Sequence, residues 1–137
     1  MPSPTKKTIN CFCGLDASLD QCCGRYHAGV PAPTAEALMR SRYSAYVLER
    51  ADYLRATWHP STRPGAIDFA DSPRWLGLTI QPALQKKSDN ATSESADSAT
   101  VEFVARYRIG GRAHRLHELS RFVREDGRWF YVDGDIR

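Results

Sequence analysis

The chain has 137 residues, a formal net charge of +3, a hydrophobic fraction of 42% and a charged fraction of 26%. These values are typical of one globular domain with room for a small appendage, and they exclude a largely disordered chain. No apolar run approaches the roughly 20 residues of a membrane-spanning helix, and the N-terminus lacks the apolar stretch of a secretion signal. We therefore expect a cytoplasmic protein whose thiols are kept reduced.

Four cysteines stand close together near the N-terminus: Cys11, Cys13, Cys22 and Cys23. In a reducing compartment such a cluster indicates metal ligands before disulfides. Four thiolates in a tetrahedron form the closed coordination of structural Zn²⁺, which leaves no open position for catalysis. A set of three cysteines with His27 is the alternative ligand set, and two disulfides or four idle thiols are the alternatives without metal. Because so short a segment cannot build its own hydrophobic core, we expect the metal to fold it.

Two helices are predicted after a Pro-rich connector. Thr34 is a natural N-cap for the first helix, and its apolar stripe is interrupted by Arg42. The stripe consists of Ala35, Leu38, Met39, Tyr43, Tyr46 and Val47. A short second helix is predicted over residues 51–58, with Asp52 as its N-cap. Pro60 ends it, because proline disfavours helical geometry in the residue before it.

Four segments downstream are predicted to form an antiparallel meander. The strands are predicted over residues 75–80, 101–109, 112–124 and 128–132. Gly110 and Gly111 suit the tight turn of a hairpin, and Asp126 with Gly127 suits a second one. A polar tract over residues 85–98 indicates a long loop between the first two strands. The order predicts an α+β domain with the helices on one face of a curved antiparallel sheet.

The cysteine pattern, Cys-Phe-Cys-Gly followed after seven residues by Cys-Cys-Gly, resembles the SEC-C zinc motif. Together with LMRSRYSAYV, ADYL, TWHP, WLGL, FVARY and ELSRF, it resembles the uncharacterised bacterial YchJ-like family, over nearly the whole chain. The resemblance implies that the four cysteines bind structural zinc. It also implies a zinc-binding module over residues 1–30 and a pocket domain over residues 31–137. The pocket domain would be a cone similar to the nuclear-transport-factor-2 (NTF2) fold.

A candidate pocket follows from the strand that carries Glu118. This residue and Ser120 share one strand face with apolar neighbours, and in the α+β arrangement that face meets the helices. One interpretation is an ion pair between Glu118 and Arg42 that locks helix to sheet. The other is a pocket in which Glu118 serves as an acid or base. The candidate pocket residues are Arg42, Tyr43, Tyr46, Trp58, His59, Trp75, Glu118 and Ser120.

No motif of a named reaction occurs: the sequence has no phosphate loop, dinucleotide fingerprint or HExxH. The first functional hypothesis is therefore a binding module with structural zinc that recognises a protein, ribosome or nucleic-acid partner. It rests on the zinc knuckle and on fifteen arginines spread along the chain. The second hypothesis is a small-molecule-binding or enzymatic domain that uses the pocket around Glu118. A third is that the zinc module only anchors the N-terminus.

Overall fold

The structure is a computed structural model, which describes residues 9–81, 93–94 and 97–137. The helical elements are a 3-10 turn at Leu19–Gln21, α1 (Cys23–His27), α2 (Ala35–Leu48) and α3 (Ala51–Ala56). The strands are β1 (Arg74–Ile80), β2 (Ser93–Glu94), β3 (Ser98–Ile109), β4 (Arg112–Glu125) and β5 (Arg128–Ile136). Among the helices of the described part of the chain, none combines the length and the apolar character that a bilayer crossing requires.

The strands form one antiparallel sheet in the order β1-β3-β4-β5, and β2 pairs with β3. Gly110 and Gly111 take positive φ angles of 58° and 82° in the turn between β3 and β4, as the hairpin prediction requires. α2 packs its apolar side on one face of the sheet. The predicted α+β class is thus confirmed. The predicted polar loop lies mostly outside the described residues.

The predicted N-cap of α2 and the predicted start of the second helix at residue 51 are confirmed, whereas the N-cap Asp52 and the end at residue 58 predicted for the second helix are wrong. Thr34 is the N-cap of α2, and its hydroxyl accepts a hydrogen bond from the amide of Ala37 at 3.0 Å. α3 is preceded by Arg50, and Asp52 lies inside its first turn, where a carboxylate favours the positive helix end. The helix ends at Ala56, because the residues that follow pair with β5 instead of continuing the helix.

The segment after α3 joins the edge of the sheet. The amide of Tyr131 donates to the carbonyl of Thr57, and the amide of His59 donates to the carbonyl of Tyr131, both at 2.8 Å. Trp58 therefore forms a parallel bridge with Tyr131 in β5. This pairing holds the second helix against the open end of the sheet, and it fixes the direction of the side chains that follow it.

The N-terminal module lies against α2. The Cys11 sulfur is 3.6 Å from the Ser44 hydroxyl, and Arg40 Nη1 donates to the carbonyl of Cys13 at 2.6 Å. On the other side of the module, the ring of His27 hydrogen-bonds through Nε2 to a carbonyl of α2 at 2.8 Å. Both ends of the module thus contact the same helix. The division of the chain at residue 30 stays a prediction.

Arg42 is a charged residue at the centre of the domain, only 3% exposed. Its Nη1 atom donates to the Leu54 carbonyl at 2.8 Å and to the Thr57 hydroxyl at 2.7 Å. Its guanidinium carbon lies 4.8 Å from the ring centroid of Trp58 and 4.7 Å from that of Tyr131. Burial lowers the pKa of Arg42, since loss of water disfavours its charge. One side chain thus connects α2, the end of α3 and β5.

We expect Arg42→Lys to lower the free energy of unfolding by about 2–3 kcal/mol. An ammonium cannot stack as a plane between two rings and cannot replace the buried guanidinium donors. Urea denaturation measures the change. Arg108→Lys is the matched control, because Arg108 is exposed, and it should change stability by less than about 0.5 kcal/mol. Equal effects of the two substitutions would contradict the role given to Arg42.

Candidate functional site

The four cysteines form one buried cluster. Their sulfur atoms all lie within 4.8 Å of one another, and all four are free thiols, which excludes the predicted alternative of two disulfides in this structure. Two sulfurs on a tetrahedral zinc with bonds of about 2.3 Å are about 3.8 Å apart. The distance of 3.6 Å between the sulfurs of Cys13 and Cys22 is close to that value. The cluster can therefore hold one metal ion.

The local backbone explains how two adjacent cysteines reach the same site. Cys22 lies between the 3-10 turn and α1, with φ −127° and ψ −114°, so the chain changes direction at this residue. Cys23 is the first residue of α1. Neighbouring side chains of a regular strand point to opposite faces. The change of direction at Cys22 instead brings both thiols to the cluster.

The thiols perturb one another's ionisation. A hydrogen bond from Cys23 lowers the pKa of Cys13 to about 5, whereas burial raises the pKa of Cys22 to about 11. The hydrogen bond with Cys13 likewise raises the pKa of Cys23. One thiolate is thus stabilised by its neighbours, while a second nearby negative charge is disfavoured. A divalent cation removes this conflict, because it stabilises several thiolates at once.

His27 lies outside the cluster of sulfur atoms. Its Nε2 atom is 2.8 Å from the carbonyl oxygen of Ser41, which requires the ring proton to be on Nε2. The ring also packs against Tyr53, with centroids 4.6 Å apart. Burial lowers the pKa of His27, so the ring is neutral at pH 7. The alternative ligand set that uses His27 is not assembled in this structure.

A cavity of about 270 Å³ lies between α2 and the sheet. Seven of the eight candidate pocket residues line it: Arg42, Tyr43, Tyr46, Trp58, Trp75, Glu118 and Ser120. The remaining wall is made by Met39, Phe103, Ala105, Leu116 and Tyr131. A larger and more open groove of about 890 Å³ lies between the N-terminal module, α3 and the first residues of β5, and no candidate pocket residue lines it.

His59 does not line this cavity, so its place among the pocket residues is wrong. Trp58 and His59 lie in the extended segment beside β5, where successive side chains point to opposite sides. Because Trp58 faces the cavity, His59 faces away from it. Its ring nitrogens lie 2.8 Å from the Ser61 hydroxyl and 3.0 Å from a carboxylate oxygen of Glu125.

Glu118 and Arg42 line the same cavity but form no ion pair with each other, so the predicted pair is wrong. The Nη1 donor of Arg42 is directed to the end of α3. The guanidinium group also lies against the rings of Trp58 and Tyr131. Glu118 Oε2 instead accepts hydrogen bonds from the Ser120 hydroxyl at 2.7 Å and from the Tyr131 hydroxyl at 3.2 Å. Within the described part of the chain, no group donates a hydrogen bond to the other oxygen, Oε1.

Two indole groups of the cavity wall also have unused donors. The Nε1 atoms of Trp58 and Trp75 are buried and have no hydrogen-bond acceptor among the described residues. A buried donor without an acceptor costs about 1–3 kcal/mol. The Nε1 atom of Trp129, which lies outside the cavity, is in the same position. The cavity itself combines aromatic walls with a carboxylate oxygen that accepts no hydrogen bond from the described residues, which is the composition of a ligand site.

Tyr131 is the main site residue that the sequence reasoning missed. It supports Glu118 through its hydroxyl and Arg42 through its ring. The alternation of Trp129 and Tyr131 along the last strand was a signal that both face the core. A second missed residue is Thr57, which accepts from Arg42.

The same fold and cysteine motif occur in known proteins. Residues 34–134 match the family described as "YchJ, middle NTF2-like domain". A UPF0225 protein of Bordetella parapertussis is 52% identical, and the alignment covers 100% of both chains. A UPF0225 protein of Xanthomonas campestris pv. campestris is 54% identical, over 96% of this chain and 98% of its own.

Two solved structures of SEC-C motif containing proteins are similar to this chain. The protein from Rhodopseudomonas palustris has a TM-score of 0.78 and 35% identity, over 93% of this chain and 98% of that one. The protein from Psychrobacter arcticus has a TM-score of 0.70 and 28% identity, over 96% and 83%. The chain therefore belongs to the UPF0225 family and contains the NTF2-like middle domain of YchJ.

Proposed function

We propose that this protein is a small-molecule-binding domain that is stabilised by a structural zinc ion. The observation that carries the proposal is the cavity beside Glu118, with its aromatic wall and a carboxylate oxygen that accepts no hydrogen bond from the described residues. The zinc ion supports the domain from outside the cavity, through the module that lies against α2.

The chemistry of the donor set favours zinc. Four buried sulfurs are soft ligands, which select zinc over magnesium or calcium. Both similar solved structures are of SEC-C motif containing proteins, which supports the same choice. A site closed by four thiolates has no open coordination position, so the metal stabilises the fold and does not take part in chemistry.

The ligand that fits best is a small molecule with an apolar body and a hydrogen-bond-donating head. Aromatic rings of Tyr43 and Trp75 give the cavity an apolar wall, and the volume is slightly below the roughly 300–1,000 Å³ of pockets for drug-sized ligands. Oε1 of Glu118 accepts from the head. A charged amine gains most, because its hydrogen bond to a carboxylate is charge-assisted and aromatic rings attract cations.

The phenols of the cavity stay protonated. Burial raises the pKa of both Tyr46 and Tyr131, and the nearby carboxylate of Glu118 raises both further. At neutral pH the hydroxyl of Tyr131 therefore keeps donating to Oε2 of Glu118. This fixed donor holds the carboxylate in place and leaves Oε1 for the ligand.

The purified protein should contain one zinc ion per chain, measured by elemental mass spectrometry. We expect Cys23→Ser to lose the metal and to lower the thermal midpoint, because the short module folds only around its ligand set. His27→Ala is the control and should retain one zinc ion. Loss of zinc in His27→Ala with retention in Cys23→Ser would assign the metal to a different ligand set.

Binding in the cavity can be followed through the indole resonances of the three tryptophans. Titration with small arylalkylamines should shift the Nε1–H signals of Trp58 and Trp75, since both indoles line the cavity. The signal of Trp129, which lines the larger groove, is the internal control and should stay in place. Shifts confined to Trp129 would contradict the proposed site.

Glu118→Gln should weaken amine binding at least about tenfold, because it removes the charge from a hydrogen bond worth about 1.5–3 kcal/mol. Glu125→Gln makes the same change in charge at the exposed end of β4 and should leave the affinity unchanged. The dispersion of the amide spectrum confirms that both variants are folded. Equal affinities of the two variants would remove Glu118 from the site.

A further inference from the structure

The face of the sheet that points away from α2 carries four arginines in two neighbouring rows. In β3, Tyr107 faces the cavity side, where it contacts Trp75, so Arg106 and Arg108 lie on the opposite face. Arg106 pairs across the sheet with Arg115 of β4, and Arg108 pairs with Arg74 of β1. We call Arg74, Arg106, Arg108 and Arg115 the arginine block.

The arginine block has no neutralising partner in the described part of the chain. All four residues are exposed, and none forms an ion pair or hydrogen bond with the described residues. By contrast, Arg121 further along β4 binds Asp133 at 2.6 Å and Asp135 at 2.8 Å. Like charges placed opposite each other in a sheet destabilise it. An anionic partner would remove this cost.

Gly77 of β1 allows the block to form a continuous surface. Gly77 is the residue opposite Arg106, and a Cβ atom there would overlap the guanidinium of Arg106. Because glycine has no side chain, this guanidinium lies across β1 toward the edge of the sheet. Two rows that differ by two residues along β3 are about 6.8 Å apart, and neighbouring strands are about 4.8 Å apart. Four guanidinium groups thus occupy a small area.

A nucleic-acid backbone matches this surface better than a protein does. It carries a negative charge every few ångströms, so several arginines engage phosphates at the same time. The planar guanidinium donates two parallel hydrogen bonds to a phosphate. No Phe, Tyr or Trp adjoins the block on this face of the described sheet, so bases have no ring on which to stack. Contacts limited to phosphates carry no sequence information.

We infer that the arginine block is a surface that binds the phosphate backbone of nucleic acid without sequence preference. It lies on the face of the sheet opposite the cavity and uses none of the cavity residues. It is therefore independent of the proposed small-molecule site, and failure of either proposal leaves the other intact.

The test is fluorescence anisotropy of the full-length, zinc-loaded protein. The probes are a fluorescein-labelled polyuridine RNA and a DNA duplex of equal length, titrated at salt concentrations between about 50 and 200 mM. Four phosphate contacts predict a slope of log K against log salt near −3.6 on the duplex, at about −0.9 per contact. Equal affinity for duplexes of different sequence is also expected.

Arg106→Gln should reduce the magnitude of that slope by about 1, and the double variant with Arg115→Gln should reduce it by about 2. Arg121→Gln is the matched control, because it removes the same charge from an arginine that already has two carboxylate partners. It should change neither slope nor affinity beyond the effect of net charge. Arg106 and Arg115 are both exposed, so the variants at these two positions should fold.

Three results would overturn the inference. The first is no binding of either probe at low salt. The second is an equal loss of affinity in Arg106→Gln and Arg121→Gln, which would reduce the effect to net charge. The third is competition by polyglutamate as strong as that by unlabelled RNA at equal charge, which would assign the surface to acidic proteins instead.

Discussion

The position of the Arg42 guanidinium determines what the cavity can do. Two aromatic rings cover its faces, and the carbonyl of Leu54 and the hydroxyl of Thr57 accept from its Nη1 atom. These contacts hold the charge away from Glu118, although both residues line the same cavity. A direct ion pair between Arg42 and Glu118 would have occupied the carboxylate with a structural contact inside the cavity. Instead two hydroxyls donate to one oxygen of the carboxylate, and its other oxygen accepts no hydrogen bond from the described residues.

The elements that depend on local signals could be predicted from the sequence. Thr34 marks the start of α2, and Gly110 with Gly111 marks the hairpin, because each provides a specific backbone conformation or cap. Features that depend on contacts between residues far apart in the sequence could not be predicted from it. The pairing of Trp58 with Tyr131 ends the second helix early, and it becomes visible only when β5 is placed beside α3.

The candidate site shows the same limit. The four cysteines are close in sequence, and their clustering follows from spacing and thiol chemistry. The pair between Glu118 and Arg42, one of two interpretations, was inferred from their opposite charges and their positions on apolar faces. It is not formed, because hydrogen bonds to the end of α3 and contacts with two rings hold Arg42. The two faces of one sheet thus differ in chemistry: a small aromatic cavity with a carboxylate on one side, and arginines without an ion-pair partner among the described residues on the other.

The claim that Glu118 is left free to recognise a ligand is tested most directly by varying the ligand's head group. Benzylamine and benzoate share one ring and carry opposite charges, and their dissociation constants can be measured by the same indole titration. We predict that benzylamine binds at least about tenfold more tightly, and that this preference disappears in Glu118→Gln. Tighter binding of benzoate would show that Arg42 governs the cavity and would contradict this account.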